Sequence, residues 1–246
     1  MAVVFALMGA YRFTVADRDK RLLRQMFGLY LAPSVIEQMV ERSEMPSLGG
    51  ETRELTVFFS DLANFTAMSE GMNPEALVRI LNDYLSAMTD VIERHGGFVD
   101  KYIGDAIVAV FGAPHHDAGH ADHAIAAAIE CQHRLEALNA DMAAAHGITL
   151  GQRIGINTGR ILVGNIGSAR RFNYTVMGDA VNLAARLGGA NKVYGTTILL
   201  SQETLAQGGD QGSFRRIDQV RVVGRAEPVI LHTPADGTPA ETLDVY

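Results

Sequence analysis

Cysteine is almost missing from this chain: 246 residues contain one, Cys131. A single thiol cannot form an intrachain disulfide or a thiolate metal site, so the fold must be held by its core. This usage fits a reducing compartment. Cys131 lies in an Ala-rich helical pattern and reads as buried packing. An excess of basic charge is also missing. Lys and Arg number 21 against 28 acidic residues, for a formal net charge of −7. That argues against nucleic acid as a partner, because non-specific binding to it needs a basic surface. An acidic protein with an anionic substrate needs local cations, usually metals, to offset the repulsion. A long apolar run is missing too. The opening "MAVVFALMGAYRF" falls short of the ~20 residues that span a bilayer. It has no basic n-region or evident cleavage site, which makes it a poor signal peptide. Arg18, Lys20, Arg21 and Arg24 follow it directly. Two readings of residues 1–13 stand: the cytoplasmic end of a membrane helix, with positive charge just inside, or a helix packed on the domain or on a partner.

What is present suits a soluble core-forming protein, with 48% hydrophobic and 20% charged residues. Residues 14–42 read as helical, with an interruption and restart at Pro33-Ser34. "SEMPSLGGE" (43–51) is turn-rich and marks a boundary, so 14–51 reads as a helical linker and 52–232 as the main domain. "ELTVFFSD" (54–61) is a β-rich run ending in an acid. Residues 73–97 read as a helix, with Pro74 in its first turn and an apolar stripe of Leu77, Ile80, Leu81, Tyr84, Leu85, Met88, Val91 and Ile92. "FVDKYI" and "AIVAVF" form a hairpin around Gly104-Asp105. A helix over about 118–145 follows. Residues 152–159 and 160–167 read as two further strands, 179–189 as a short helix closed by glycines, and 196–201, 214–223 and 228–232 as strands. The tail 233–246 reads as loose. The order β-α-β-β-α-β is a ferredoxin-like split βαβ pattern of the α+β class. It predicts an antiparallel sheet with helices on one face.

This order brings two acids together. A crossover leaves strands 54–59 and 98–103 parallel, and strand 106–111 runs back between them. Asp61 lies past the end of the first strand, and Asp105 at the start of the returning one. Two close carboxylates repel unless a proton or cation sits between them, and oxygen ligands of this kind suit Mg²⁺ or Mn²⁺. The turn after Asp61, "LANFTAMSE", offers backbone N–H groups to phosphate. Either acid alone reads as a cap or turn residue; at one edge, the pair reads as a two-metal phosphoryl-transfer site. In "NYTVMGDAVNLAARL" (173–187), Asn182 and Arg186 share a helical face. An amide beside a guanidinium can grip a sugar and a phosphate, although a polar stripe on a short helix is common.

Four stretches, "TVFFSDLANFT", "GGFVDKYIGDAIVAVFGAP", "QRIGINTGRILVGNIGS" and "NYTVMGDAVNLAARL", resemble the core motifs of class III nucleotidyl cyclases, in order and at family spacing over about 52–232. The resemblance implies an adenylate cyclase that converts ATP to 3′,5′-cyclic AMP and pyrophosphate by attack of the ribose 3′-oxygen on the α-phosphorus. It implies two divalent cations (Mg²⁺ or Mn²⁺) on Asp61 and Asp105. Arg153 would contact the phosphates. Lys101 and Thr175 would read the base, Asn182 would orient the ribose, and Arg186 would stabilise the transition state. The family divides these roles between subunits, so a chain with both sets implies a homodimer. Lys101 can donate to the adenine ring nitrogen and Thr175 can accept from the amino group. Guanine reverses that pattern, and guanylyl members carry an acid and a small residue instead. Thr rather than Asp at 175 resembles the subgroup that includes bicarbonate-responsive cyclases. Val223 stands where the family often has a basic residue, flanked by Arg221 and Arg225. The stretch "YRFTVADRDKRLLRQMFGLYLAPSVIEQMV" resembles the linker of membrane-anchored receptor cyclases, which implies a cytoplasmic domain at the inner face of the plasma membrane.

Three other readings compete. The chain could be a guanylate cyclase. It could be another phosphoryl-transfer enzyme on the same sheet plan, such as a diguanylate cyclase or polymerase palm, against which the Asn182/Arg186 helix and the lack of a "GGDEF"-like hairpin argue. It could also be a non-catalytic dimerising, nucleotide-sensing module. "PHHDAGHADHA" (114–124) invites a zinc reading through His116, His120 and His123, but zinc wants four ligands or three plus water. Asp117 reads more plainly as an N-cap.

Overall fold

A computed structural model of the chain describes residues 11, 28, 32–42, 47–208, 213–221 and 228–235. Most of the 1–13 segment and of the helical linker, Val223 and Arg225, and the tail from 236 onward lie outside them. The chain divides into two units, 1–47 and 48–246. In the first, helix α1 (Pro33–Arg42) begins on its proline, whose missing N–H costs nothing at that position. None of the described helices is long and apolar enough to cross a membrane.

The second unit is built on an eight-stranded sheet. Its strands are β1 (Gly49–Ala63), β2 (Phe98–Ile103), β3 (Ala106–Phe111), β4 (Gly151–Ser168), β5 (Arg171–Met177), β6 (Ile198–Ser201), β7 (Phe214–Val220) and β8 (Val229–Pro234). The spatial order is β2-β3-β1-β4-β6-β8-β7, with β5 paired to β4 off this path. The expected return of β3 between β1 and β2 is therefore present. Every pairing is antiparallel except β4 with β6. Where two strands were expected over 152–167, one continuous strand runs from Gly151 to Ser168. Its fifteen-residue ladder with β1 supplies inter-strand hydrogen bonds throughout, so the turn-prone glycines do not break it. Strand β5 falls in a motif assigned no strand, because "RFNYTVM" shows little alternation.

Helices α2 (Phe65–Glu70), α3 (Pro74–Arg94), α4 (His120–His146), α5 (Asp179–Tyr194) and α6 (Gln202–Gln207) complete the unit. α3 starts as its sequence dictates, with the Asn73 side chain accepting from the Glu75 N–H at 2.8 Å and Pro74 next. Its stripe of Ile80, Tyr84, Met88, Val91 and Ile92 joins Phe58, Ile107, Ile156 and the buried side of α4 in the main core. Each large side chain so buried contributes about 1.5–3 kcal/mol. Cys131 belongs to this core, and burial pushes its thiol up to about 12.

Helices on one face alone were expected, and α5 departs from that. Phe58 and Ile156 point toward α3 and α4, whereas their neighbours Phe59 and Gly155 meet α5. Successive strand residues face opposite ways, so α5 covers the other side of the sheet, over Leu199, Val229 and Leu231. It also runs to Tyr194, through Gly188 and Gly189. Those glycines do not end the helix; Gly188 lets it approach β4. A methyl on Gly155 would stand 2.2 Å from both the Ala184 carbonyl oxygen and the Gly188 nitrogen. Asn157 Nδ2 donates to the Ala180 carbonyl at 2.9 Å, and Asn191 Nδ2 donates to the Ile154 carbonyl at 2.9 Å. The two amides tie both ends of α5 to β4.

Replacing Gly155 by Ala should therefore cost about 3 kcal/mol, the upper range for overpacking against atoms that cannot yield. Urea unfolding of the variant against the parent measures it. Unchanged stability would show that α5 can lift away from β4.

Candidate active site

The β2–β3 hairpin turns at Gly104-Asp105, with Ile103 paired to Ala106. Gly104 takes φ +64°, a left-handed conformation that glycine adopts without strain. The turn places Asp105 beside the end of β1, where the Leu62 N–H donates to Asp105 Oδ2 at 3.0 Å. β1 pairs with β3 as far as Ser60↔Ile107, so this bond adds one rung beyond the backbone ladder. Asp61 stands next to it, and its Oδ1 is buried with no hydrogen-bond partner among the described residues. Burial pushes the Asp61 carboxyl above its ordinary value, the Arg153 guanidinium pulls it down, and the Asp105 charge pushes it up again. Arg153 is the direct cross-strand partner of Asp61 on β4. The sequence-predicted trio Asp61, Asp105 and Arg153 therefore meets at one sheet edge. A buried carboxylate oxygen without a donor, beside a second carboxylate, fits a divalent cation.

A second cluster forms where β5 meets β2. Lys101 Nζ donates to Thr175 Oγ1 at 2.9 Å, so the two expected base-reading residues are in contact. A third member was not anticipated. Thr175 Oγ1 donates to Asp100 Oδ2 at 2.8 Å, and Lys101 Nζ lies 3.2 Å from the same oxygen. The Asp100 side chain is 2% exposed, whereas that of Lys101 is 45% exposed. Burial raises the Asp100 carboxyl, and the Thr175 hydroxyl, Lys101 and the Val176 N–H oppose this. β2 shifts register between Val99 and Lys101, which makes Asp100 the extra residue of a β-bulge. Such bulges re-aim side chains. One signal was available: alternation from buried Phe98 points position 100 inward, and an inward acid needs partners.

Asn182 and Arg186 lie on the exposed side of α5, opposite Leu183, Ala184 and Leu187. They share a face as their spacing predicts. The histidine-rich loop holds no metal cluster among the described residues. His120 Nδ1 is instead bonded to buried Thr56 Oγ1 at 2.7 Å, and His123 Nδ1 to Asp117 Oδ2 at 2.7 Å. Asp117 is not the N-cap of α4, because Gly119 occupies that position; its Oδ1 accepts from the Gly119 N–H at 2.9 Å.

The family model of the adenylate and guanylate cyclase catalytic domain matches residues 50–233. The chain is 36% identical over 200 residues to adenylate cyclase 1 of Rhizobium meliloti, covering 81% of this chain and 30% of that protein. It is 37% identical over 223 residues to an adenylate cyclase of Anabaena cylindrica, covering 88% of this chain and 42% of that one. It thus spans less than half the length of these relatives. Among solved structures, it is similar to the adenylyl cyclase CyaB from P. aeruginosa (36% identity, TM-score 0.70, 78% of this chain and 98% of that one). It is also similar to the guanylyl cyclase Cya2 (39% identity, TM-score 0.68, 75% of this chain and 93% of that one).

With its value raised in the folded state, Asp61 contributes stability below the ordinary carboxylate range and loses it as pH rises through the raised value. Above that range, Asp61→Asn should melt about 2–4 °C higher than the parent in the presence of a chelator. Added Mn²⁺ should raise the parent's melting temperature more than the variant's. Thermal scans with and without metal test both, and an equal response to Mn²⁺ would argue against a cation at Asp61.

Proposed function

Because the chain belongs to the adenylate and guanylate cyclase catalytic-domain family, we propose that it is an adenylate cyclase, forming 3′,5′-cyclic AMP and pyrophosphate from ATP. The observation that carries this reading is the contact between Lys101 and Thr175, in a chain that also sets Asp105 beside Asp61. Together they supply a base reader and a cation holder.

Each residue has a role that follows from its chemistry. Asp61 and Asp105 would hold divalent cations, which when bound lower the charge of the triphosphate and acidify the ribose 3′-hydroxyl. Arg153 offers its guanidinium to the phosphates from the strand next to Asp61. Lys101 donates to the adenine ring nitrogen, and Thr175 accepts from the exocyclic amino group. Asn182 bonds the ribose and orients its 3′-oxygen toward the α-phosphorus. Arg186 donates to the α-phosphate oxygens as negative charge grows there, and the pyrophosphate leaves. Asn182 and Arg186 sit on an exposed helix face, which supports a site completed by a second copy. In the homodimer, one copy supplies the acids and Arg153, and its partner supplies the base reader and α5. The N-terminal basic stretch supports a membrane tether upstream of the domain, and Thr175 supports a bicarbonate response.

A guanylyl cyclase among the similar structures makes guanylate cyclisation the second reading. The purified chain with Mn²⁺ or Mg²⁺ should form cyclic AMP from ATP at a higher kcat/KM than cyclic GMP from GTP, and the reverse order would favour the second reading. Asp61→Ala and Arg186→Ala should each lower kcat by about 10²–10³-fold. Mixed after exchange of subunits, the two should regain on the order of a quarter of the parent rate, since half of the dimers are mixed and each has one intact site. No recovery in confirmed mixed dimers would overturn the shared site.

A further inference from the structure

The Thr175 hydroxyl is ambidentate. It has one O–H to donate and two lone pairs that accept, so left alone it could bond either an amino group or a carbonyl oxygen. Its surroundings remove that choice. The hydrogen is committed to Asp100 Oδ2 at 2.8 Å, and one lone pair is taken by Lys101 Nζ at 2.9 Å. What remains is one lone pair, which can only accept. Lys101 spends one N–H on Thr175 and another on Asp100 at 3.2 Å, and keeps one N–H to give. The free valences of the cluster are thus one acceptor at Thr175 and one donor at Lys101.

We infer that Asp100 is a specificity-determining positioning residue, which fixes Thr175 as an acceptor and so sets the preference for an adenine base. This rests on the adenylate cyclase reading above and names the device behind its base choice. Asp100 acts through Thr175 and, being buried at 2% exposure, need not touch the nucleotide. An amino group opposite Thr175 finds the lone pair. A carbonyl oxygen there, as guanine presents, faces a second acceptor, and its ring N–H faces the Lys101 donor. Without Asp100 the hydroxyl can rotate and offer its hydrogen to that oxygen.

The test compares kcat/KM for ATP and GTP, with Mn²⁺, in the full chain and its variants. Asp100→Ala should reduce the ATP-over-GTP ratio about tenfold, the scale of one mispaired hydrogen bond. Asp100→Asn keeps the shape but has one acceptor oxygen for three donors, and should reduce the ratio less, in the same direction. Thr175→Val should also reduce it, and adding Asp100→Ala to Thr175→Val should change the ratio no further. If Asp100→Ala does not fold, by circular dichroism, Asp100→Asn decides alone. Folded variants that keep the parent ratio, or lose rate equally with both nucleotides, overturn the inference, because a residue needed only for packing behaves that way. A parent chain that forms no cyclic product from either nucleotide overturns the underlying reading instead. A parent that prefers ATP, with folded variants that keep its ATP-over-GTP ratio unchanged, leaves that reading intact and removes this one.

Discussion

One hydrogen bond organises the acidic edge of this protein: the Leu62 N–H donating to Asp105 Oδ2. It closes the β1–β3 ladder with a side chain where the backbone pairing has run out, and it fixes a carboxylate beside Asp61. The arrangement is unfavourable by itself. Asp61 is pushed up by burial and by the charge of Asp105, with Arg153 as the opposing influence. A chain with net charge −7 thus concentrates negative charge at an edge where it is poorly solvated. A cation would relieve that strain. The cost of holding these acids together and their capacity to bind metal have the same origin, as stability–function trade-offs generally do.

The rest of the fold serves to hold three groups of side chains at defined places. β3 between β1 and β2 sets the acids. The bulge in β2 and the pairing of β5 to β4 set Asp100, Lys101 and Thr175. α5 presents Asn182 and Arg186 outward because its other side is pinned, by Asn157 and Asn191 at its two ends and by the close approach at Gly155. A helix so fixed presents its exposed residues with little freedom, as the proposed site between two copies would require, because neither copy can adjust the other's geometry.

Much of this was legible in the chain. The split order of elements follows from periodicity and turn residues alone, and with it the meeting of Asp61 and Asp105, because a crossover leaves little choice of strand order. The roles proposed for Arg153, Lys101 and Thr175 rest on resemblance, since nothing local distinguishes them from surface residues. Three features were hidden for physical reasons. β4 is one strand because its partner β1 supplies the bonds its glycines would otherwise forgo, and partner effects are non-local. α5 runs on through Gly188 because its close packing against Phe59 and Gly155 favours a glycine there. Asp100 was hidden because alternation could turn it inward but could not name its partner, Thr175, which lies 75 residues further along the chain.

That bulge makes the proposed base choice partly a matter of counting. Asp100 is the one residue of β2 without its own partner on β3, so the strand changes parity there. Deleting a single residue at this point would restore ordinary pairing and strict alternation, so that two successive side chains could no longer both reach Thr175. Drift toward another nucleotide by side-chain replacement alone must therefore proceed on a backbone already cut to length for this one.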